Sequence, residues 1–177
     1  MTATTIYTIG HSTRSSEELL ALLREAGVER LADVRAFPSS RRHPQFNRDA
    51  LAEWLGKAGI DYRHMPGLGG RRSPVPGSPN GGWRELAFQG YADHMRSAEF
   101  QDALAALQAA AREAPTTIMC AEAVWWRCHR RIITDYLLAA GERVMHILET
   151  SHIDEANLTP GAAVRGDGTV VYPAERS

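Results

Sequence analysis

Sixteen residues from Thr116 to Arg131, TTIMCAEAVWWRCHRR, bring both cysteines of the chain together with Glu122, His129, two tryptophans and three arginines. A thiol attacks or ligates only as the thiolate, a form favoured beside cations and helix N-termini. Cys120 and Cys128 are both candidate nucleophiles; Cys120 is the stronger, and a small buried apolar role is the favoured alternative for Cys128. Glu122 is placed to act as a general acid or base, or to orient Arg130. His129 is either a proton carrier or a structural hydrogen-bonder. Trp125 and Trp126 could stack a base or sugar, or belong partly to the core. Zinc favours thiolate and imidazole ligands, and His11 or His64 could join Cys120, Cys128 and His129. Adjacent residues on a helix point apart, however, and no CxxC pair exists, so we expect no metal and no cofactor.

A second group of polar residues lies upstream. From Arg35 to Arg84 the chain carries nine bases against three acids, a local +6 that leaves −7 for the remainder. Lys57 is the only lysine; arginine forks suit bidentate contacts to phosphate or carboxylate, although a codon bias would give the same ratio. In SSRRHPQFN, Arg41, Arg42, His43 and Gln45 sit on a segment restricted by prolines, as a phosphate clamp requires; a solvated basic loop is the plainer reading. Asp33 and Arg35, two apart on a strand, share a face and read as an ion pair at least as readily as an anion site.

These side chains need a frame. At 177 residues, 44% hydrophobic and 23% charged, the composition is globular, and we expect a single domain. No apolar run approaches the ~20 residues of a membrane helix and no signal peptide is evident, so a soluble, cytoplasmic protein with reduced cysteines is expected. Strands are predicted at Thr5–Ile9, Leu31–Val34, Ile60–His64, Thr116–Met119 and Arg143–Leu148. Helices open at the Ser15/Glu18 capping box, at Asn47 and at Ser97, with another running from Cys128 to Gly141. Residues 65–90 read as a long irregular loop, with at most a helical turn at Tyr91–Met95. The C-terminal extension, from about 149, holds a small hairpin around Gly166, Asp167 and Gly168. The alternation predicts an α/β fold: a mostly parallel sheet of about five strands with helices on both faces. Ligand sites of such sheets lie beyond the carboxyl ends of the strands, which collects His11, Ser12, Arg35, His64, Cys120 and Glu122 at one rim.

TIGHS at 8–12, LADVRAFPSSRRHPQFN at 31–47, the GI.Y.H.P.LGG pattern at 59–70, GYADHM from 90 and MCAE.....CHRR from 119, with LTP and VYP near the end, carry a resemblance. Together they resemble the bacterial family called domain of unknown function 488, over nearly the whole chain. The resemblance implies an α/β domain whose characteristic polar residues fall at His11, Ser12, Asp33, Arg35, Cys120, Glu122, Cys128, His129 and Arg130, and it implies no activity. A partial similarity to rhodanese-like domains and their phosphatase relatives covers the DVR strand end and the Cys-loop-helix. There, six residues rather than five separate Cys120 from Arg127, and Glu122 would repel a phosphate.

The expectation is an enzyme binding an anionic, phosphorylated or nucleotide-like small molecule. Cys120, Glu122 and His129 would be its reactive groups, and His11, Ser12, Asp33, Arg35, Arg41, Arg42, Gln45 and Arg130 its binding residues. The alternative is a nucleic-acid-binding module without catalysis.

Overall fold

The computed structural model describes residues 4–39, 41–69 and 75–174. Arg71 and Arg72 of the GLGGRR stretch lie outside them. Five strands run parallel: β1 (Thr5–Gly10), β2 (Arg30–Asp33), β3 (Asp61–His64), β4 (Thr116–Cys120) and β5 (Arg143–Glu149). A sixth, β6 (His152–Glu155), pairs antiparallel with β5, giving the order β3-β2-β4-β1-β5-β6. The parallel part matches the expected five strands. The sixth escapes a sequence reading because it is short, polar and mostly exposed, so it carries no apolar alternation.

The order explains where a site must form. β4 is inserted between β2 and β1, so all five of its residues are buried, as its β-branched and apolar run TTIMC requires. The chain leaves β1 toward β2 on one side and leaves β4 toward β5 on the other, which makes the β1/β4 boundary the switch point of the sheet. There the register sets Gly10 beside Cys120, with Asp33 beside Met119 on the other edge of β4.

Alternate strand residues feed two cores. Ile9, Leu31, Met119 and Ile147 meet α1 (Ser16–Glu25) and α2 (Arg48–Lys57) through Leu19, Leu23, Leu51 and Leu55. Ile6, Ala32, Ile118, Cys120 and Val144 face the opposite way, against α3 (Leu86–His94), α4 (Ala98–Glu113) and α5 (Arg130–Ala139). The expected capping box is present: Glu18 N donates to Ser15 Oγ (3.1 Å) and Ser15 N to Glu18 Oε1 (2.9 Å). Ser97 likewise accepts from Phe100 N.

Helix α3 begins earlier than the predicted turn at Tyr91. Phe88, Ala92 and Met95 recur at helical spacing toward the core, and Gly90, which reads as the end of a loop, is a buried interior position of that helix. Helix α5 starts at Arg130, not Cys128, because a 3-10 turn at Trp125–Arg127 leaves Cys128 extended. The C-terminal hairpin, β7 (Ala163–Val164) with β8 (Val170–Val171), lies against α5, where Tyr136 OH donates to Val170 O. No helix among the described residues is long and apolar enough to cross a membrane.

Gly10 allows the closest approach in the site region, since a Cβ there would overlap the Glu122 carbonyl. Gly10→Ala should therefore displace the 121–123 loop and cost on the order of 1–3 kcal/mol as overpacking does. At ~2–4 °C per kcal/mol for a chain of this size, thermal melting should show a loss of several degrees.

Candidate functional site

Beyond the ends of β1 and β4 the backbone continues their ladder for two more bonds, from His11 N to Cys120 O and Ser12 N to Ala121 O. The chain then turns through Glu122–Arg127 and returns at Cys128 directly over Cys120. Both cysteines are free and buried, with their sulfurs 3.1 Å apart.

Arg130 lies against this pair. The side chain is only 1% exposed. Its Nε donates to Cys128 Sγ (3.3 Å), Nη1 to Thr8 Oγ1 (3.2 Å) and Nη2 to the Glu122 carbonyl (2.7 Å), while its backbone N–H also points at Cys128 Sγ (3.4 Å). A guanidinium keeps its proton in proteins, and a buried one without an anion is strongly destabilising. Among the described residues no carboxylate is bonded to it; the anion within reach is sulfur. Burial by itself pushes the Cys128 thiol up, but the Cys120 S–H and the Arg130 charge outweigh it and bring the thiol down to about 5. Cys120 moves the other way, raised by burial and by its bond to Cys128, and stays a thiol. The pair is thus Cys120 S–H donating to a Cys128 thiolate.

Behind Arg130, Thr8 Oγ1 accepts from the guanidinium and donates to His146 Nδ1 (2.6 Å). His146, from β5, is lowered to about 3 by burial and then by Arg130, so it is neutral; the Trp125 ring stacks on it at 4.5 Å and 4°. Its Nε2 is buried with no hydrogen-bond partner among the described residues. Trp126 stands half in solvent.

A second cluster sits on β2. Arg35 makes a bidentate pair with Asp33, Nε to Oδ1 (2.9 Å) and Nη2 to Oδ2 (2.7 Å), and Nη2 also donates to Phe46 O (2.7 Å). Tyr62 OH donates to the same carboxylate (2.6 Å). His11 stacks on Phe46 at 4.5 Å and donates from Nδ1 to Ser12 O, which turns the bare Nε2 to Arg35 Nη1 (3.4 Å). Burial, aided by the Arg35 charge, lowers His11 to about 4. His129 donates from Nε2 to Val34 O (3.0 Å) and is lowered by burial, so it too is neutral.

A cavity of about 690 Å³ opens over both clusters. Arg35, Cys120, Cys128 and His129 reach its floor; Phe37, Phe88 and Tyr91 form an apolar wall, and Glu85, Glu122 and Arg127 stand in solvent around it. Arg35, Cys120, Glu122 and His129 line one cavity, and Cys128 lines it with them. His11 joins through Arg35, and Ser12 lines a neighbouring cleft with Arg14 and Trp126. Arg41 and Arg42 are exposed and do not line the cavity. Gln45 gives its side-chain amide to Arg14 O and its carbonyl to Trp54 Nε1, so the proline-bounded segment braces Phe46 under His11 and Arg35. Thr8 and His146, not candidates from sequence, complete the support of Arg130. No three His, Cys, Asp or Glu side chains among the described residues are grouped to hold a metal ion.

Arg130→Gln removes the cation and should move the thiolate absorbance midpoint of Cys128 upward toward the ~8.5 of an unperturbed thiol. His146 supplies a second readout. Its folded pKa lies below the ~6.5 of an unfolded histidine, so its contribution to stability is fully present above that pH and is lost as pH falls through the folded value. His146→Gln should flatten the decline of Tm between pH 6.5 and 4.

Comparison with curated proteins finds no match, and comparison with solved structures finds none either. The partial likeness to rhodanese-like domains is not returned. The sequence model described as domain of unknown function DUF488 matches residues 15–137, more than half of the chain and the Cys-loop-helix as far as Leu137, and the protein belongs to that family.

Proposed function

We propose that this protein is an enzyme whose nucleophile is the Cys128 thiolate, acting on a small molecule with an anionic group in the cavity at the carboxyl ends of β1 and β4. The observation that carries this reading is the buried Arg130 guanidinium, which donates to the Cys128 sulfur and has no carboxylate partner among the described residues. A purely packing cysteine does not need a cation aimed at it. Cys120, the more buried of the two, is the donor that holds the thiolate rather than the attacking atom.

The substrate charge follows from what is already neutralised. Asp33 offsets Arg35, and Cys128 offsets Arg130. Arg127 is then the exposed cation lining the cavity, along with the carboxylates of Glu85 and Glu122. One carboxylate or monoester suits this wall better than a polyphosphate, which Glu122 would repel. Phe37, Phe88 and Tyr91 favour an apolar body on the same molecule. Glu122, in solvent at the cavity, is the candidate proton carrier; neutral His129, tied to Val34 O, orients the loop before α5. The nucleic-acid reading has less support. Lys57 and Arg63 are paired with Glu53 and Asp61, Arg35 with Asp33, and the Trp125 ring is stacked on His146.

Labelling tests both halves of this reading. At pH 7 in low salt, iodoacetate and iodoacetamide should both modify Cys128 of the folded protein, and Cys128→Ser should abolish that label. Arg127→Gln should slow iodoacetate relative to iodoacetamide by up to about fivefold, the ~1 kcal/mol of an exposed pair. A Cys128 that resists both reagents at pH 7 sinks the thiolate, and an unchanged ratio removes Arg127 from substrate binding.

A further inference from the structure

The position of Cys120 makes a statement about the bond that Cys128 attacks. Cys120 is 2% exposed and lies beneath Cys128, on the end of β4, with its sulfur 3.1 Å from the other. An acyl or phosphoryl group on Cys128 would put the electrophilic carbon or phosphorus out in the cavity, beyond a thiol fixed on the strand. A sulfur-bound leaving group makes Cys128 Sγ itself the electrophile, and that atom is the one Cys120 faces. Closing the pair to a ~2.05 Å bond asks for an approach of about 1 Å.

We infer that the two cysteines are the nucleophile and resolving thiol of a thiol–disulfide exchange site, and that the substrate is a small disulfide of an amino-acid or peptide thiol. This rests on the reading of Cys128 as the nucleophile. In the first step the Cys128 thiolate attacks one sulfur of R–S–S–R, forming a Cys128–S–S–R mixed disulfide and expelling RS⁻. In the second, Cys120 loses its proton to the departing thiolate and attacks Cys128 Sγ, forming the Cys120–Cys128 disulfide and expelling the second half. The dithiol loses two electrons and R–S–S–R gains them. Two equivalents of a small thiol restore the starting state by the reverse exchange.

Two features favour a disulfide over a hydroperoxide. The cavity of about 690 Å³ with its aromatic wall is far larger than a peroxide. Exposed groups of both signs, Arg127 with Glu85 and Glu122, match a molecule bearing an ammonium and a carboxylate.

The test uses the whole reduced chain under anaerobic conditions, with oxidised glutathione as the probe and intact-mass and peptide mass spectrometry as the readout. Wild type should release two equivalents of glutathione and join Cys120 to Cys128. Cys120→Ser, or Cys120→Ala if the serine variant does not hold its fold by circular dichroism, should release one equivalent and stop at the mixed disulfide on Cys128. Cys128→Ser should release none. Wild type that stops at a stable mixed disulfide overturns Cys120 as the resolving thiol, and oxidation by hydrogen peroxide with no reaction toward oxidised glutathione overturns the substrate class. Iodoacetamide labelling separates the two levels. If Cys128 is labelled at pH 7 but exchanges with nothing, the exchange site is refuted and the thiolate stands; if it is not labelled, both fall.

Discussion

A guanidinium that keeps its proton sits almost wholly out of water at Arg130, and the surrounding structure is arranged to answer it. Burying such a charge costs several kcal/mol unless every donor finds a partner and an anion lies close. Thr8, the Glu122 carbonyl and Cys128 each take one of its N–H groups, and of these three only sulfur can supply the charge. The same interaction therefore does two things. It makes the arginine tolerable in the core, and it makes the thiolate the favoured state of a cysteine that burial would otherwise keep protonated. Removing either partner leaves the other uncompensated, so the ion pair and the loop that carries Cys128 form together.

The rest of the site separates charge from this pair. Asp33 and Arg35 make a self-contained unit on β2, with Tyr62, Phe46 O and a neutral His11 filling the remaining valences. His11, His129 and His146 are all held uncharged by burial, so three imidazoles near the thiolate add shape and hydrogen bonds without adding cations. The remaining charges at the cavity, on Arg127, Glu85 and Glu122, are exposed, and water screens each of them.

Much of this frame is legible in the sequence because the relevant signals are local. The β-branched run after Pro115 marks β4 and ends it at Cys120; Ser15 with Glu18 marks the start of α1; Gly141, at φ 88°, ends the turn after α5. Arg130 is different. In the first turn of a helix an arginine normally reads as solvent-facing, and nothing nearby says that it turns inward. Thr8 and His146 are 138 residues apart and meet only because β5 pairs with β1, a strand order no local pattern encodes. The arginines of SSRRHPQFN attract a ligand reading through their charge, while the contacts that matter there come from the Gln45 amide and the Phe46 ring and carbonyl, which look unremarkable in a sequence.

The asymmetry of the two cysteines has the same long-range origin. From the chain alone, Cys120 at a strand end is the better nucleophile, because strand ends carry the chemistry in parallel sheets. Packing reverses that preference. Cys120 faces the α5 core and takes the raised pKa of a buried thiol, while Cys128, one residue before the N-cap His129, collects the Arg130 N–H, the guanidinium and the Cys120 proton. Which thiol ionises is thus set by three donors aimed at one sulfur, not by which strand the cysteine ends. The 3-10 turn at Trp125–Arg127 is what delivers Cys128 to that position. It is held by the Trp125–His146 stack, so β5, on the other side of β1, helps decide where the thiolate lies.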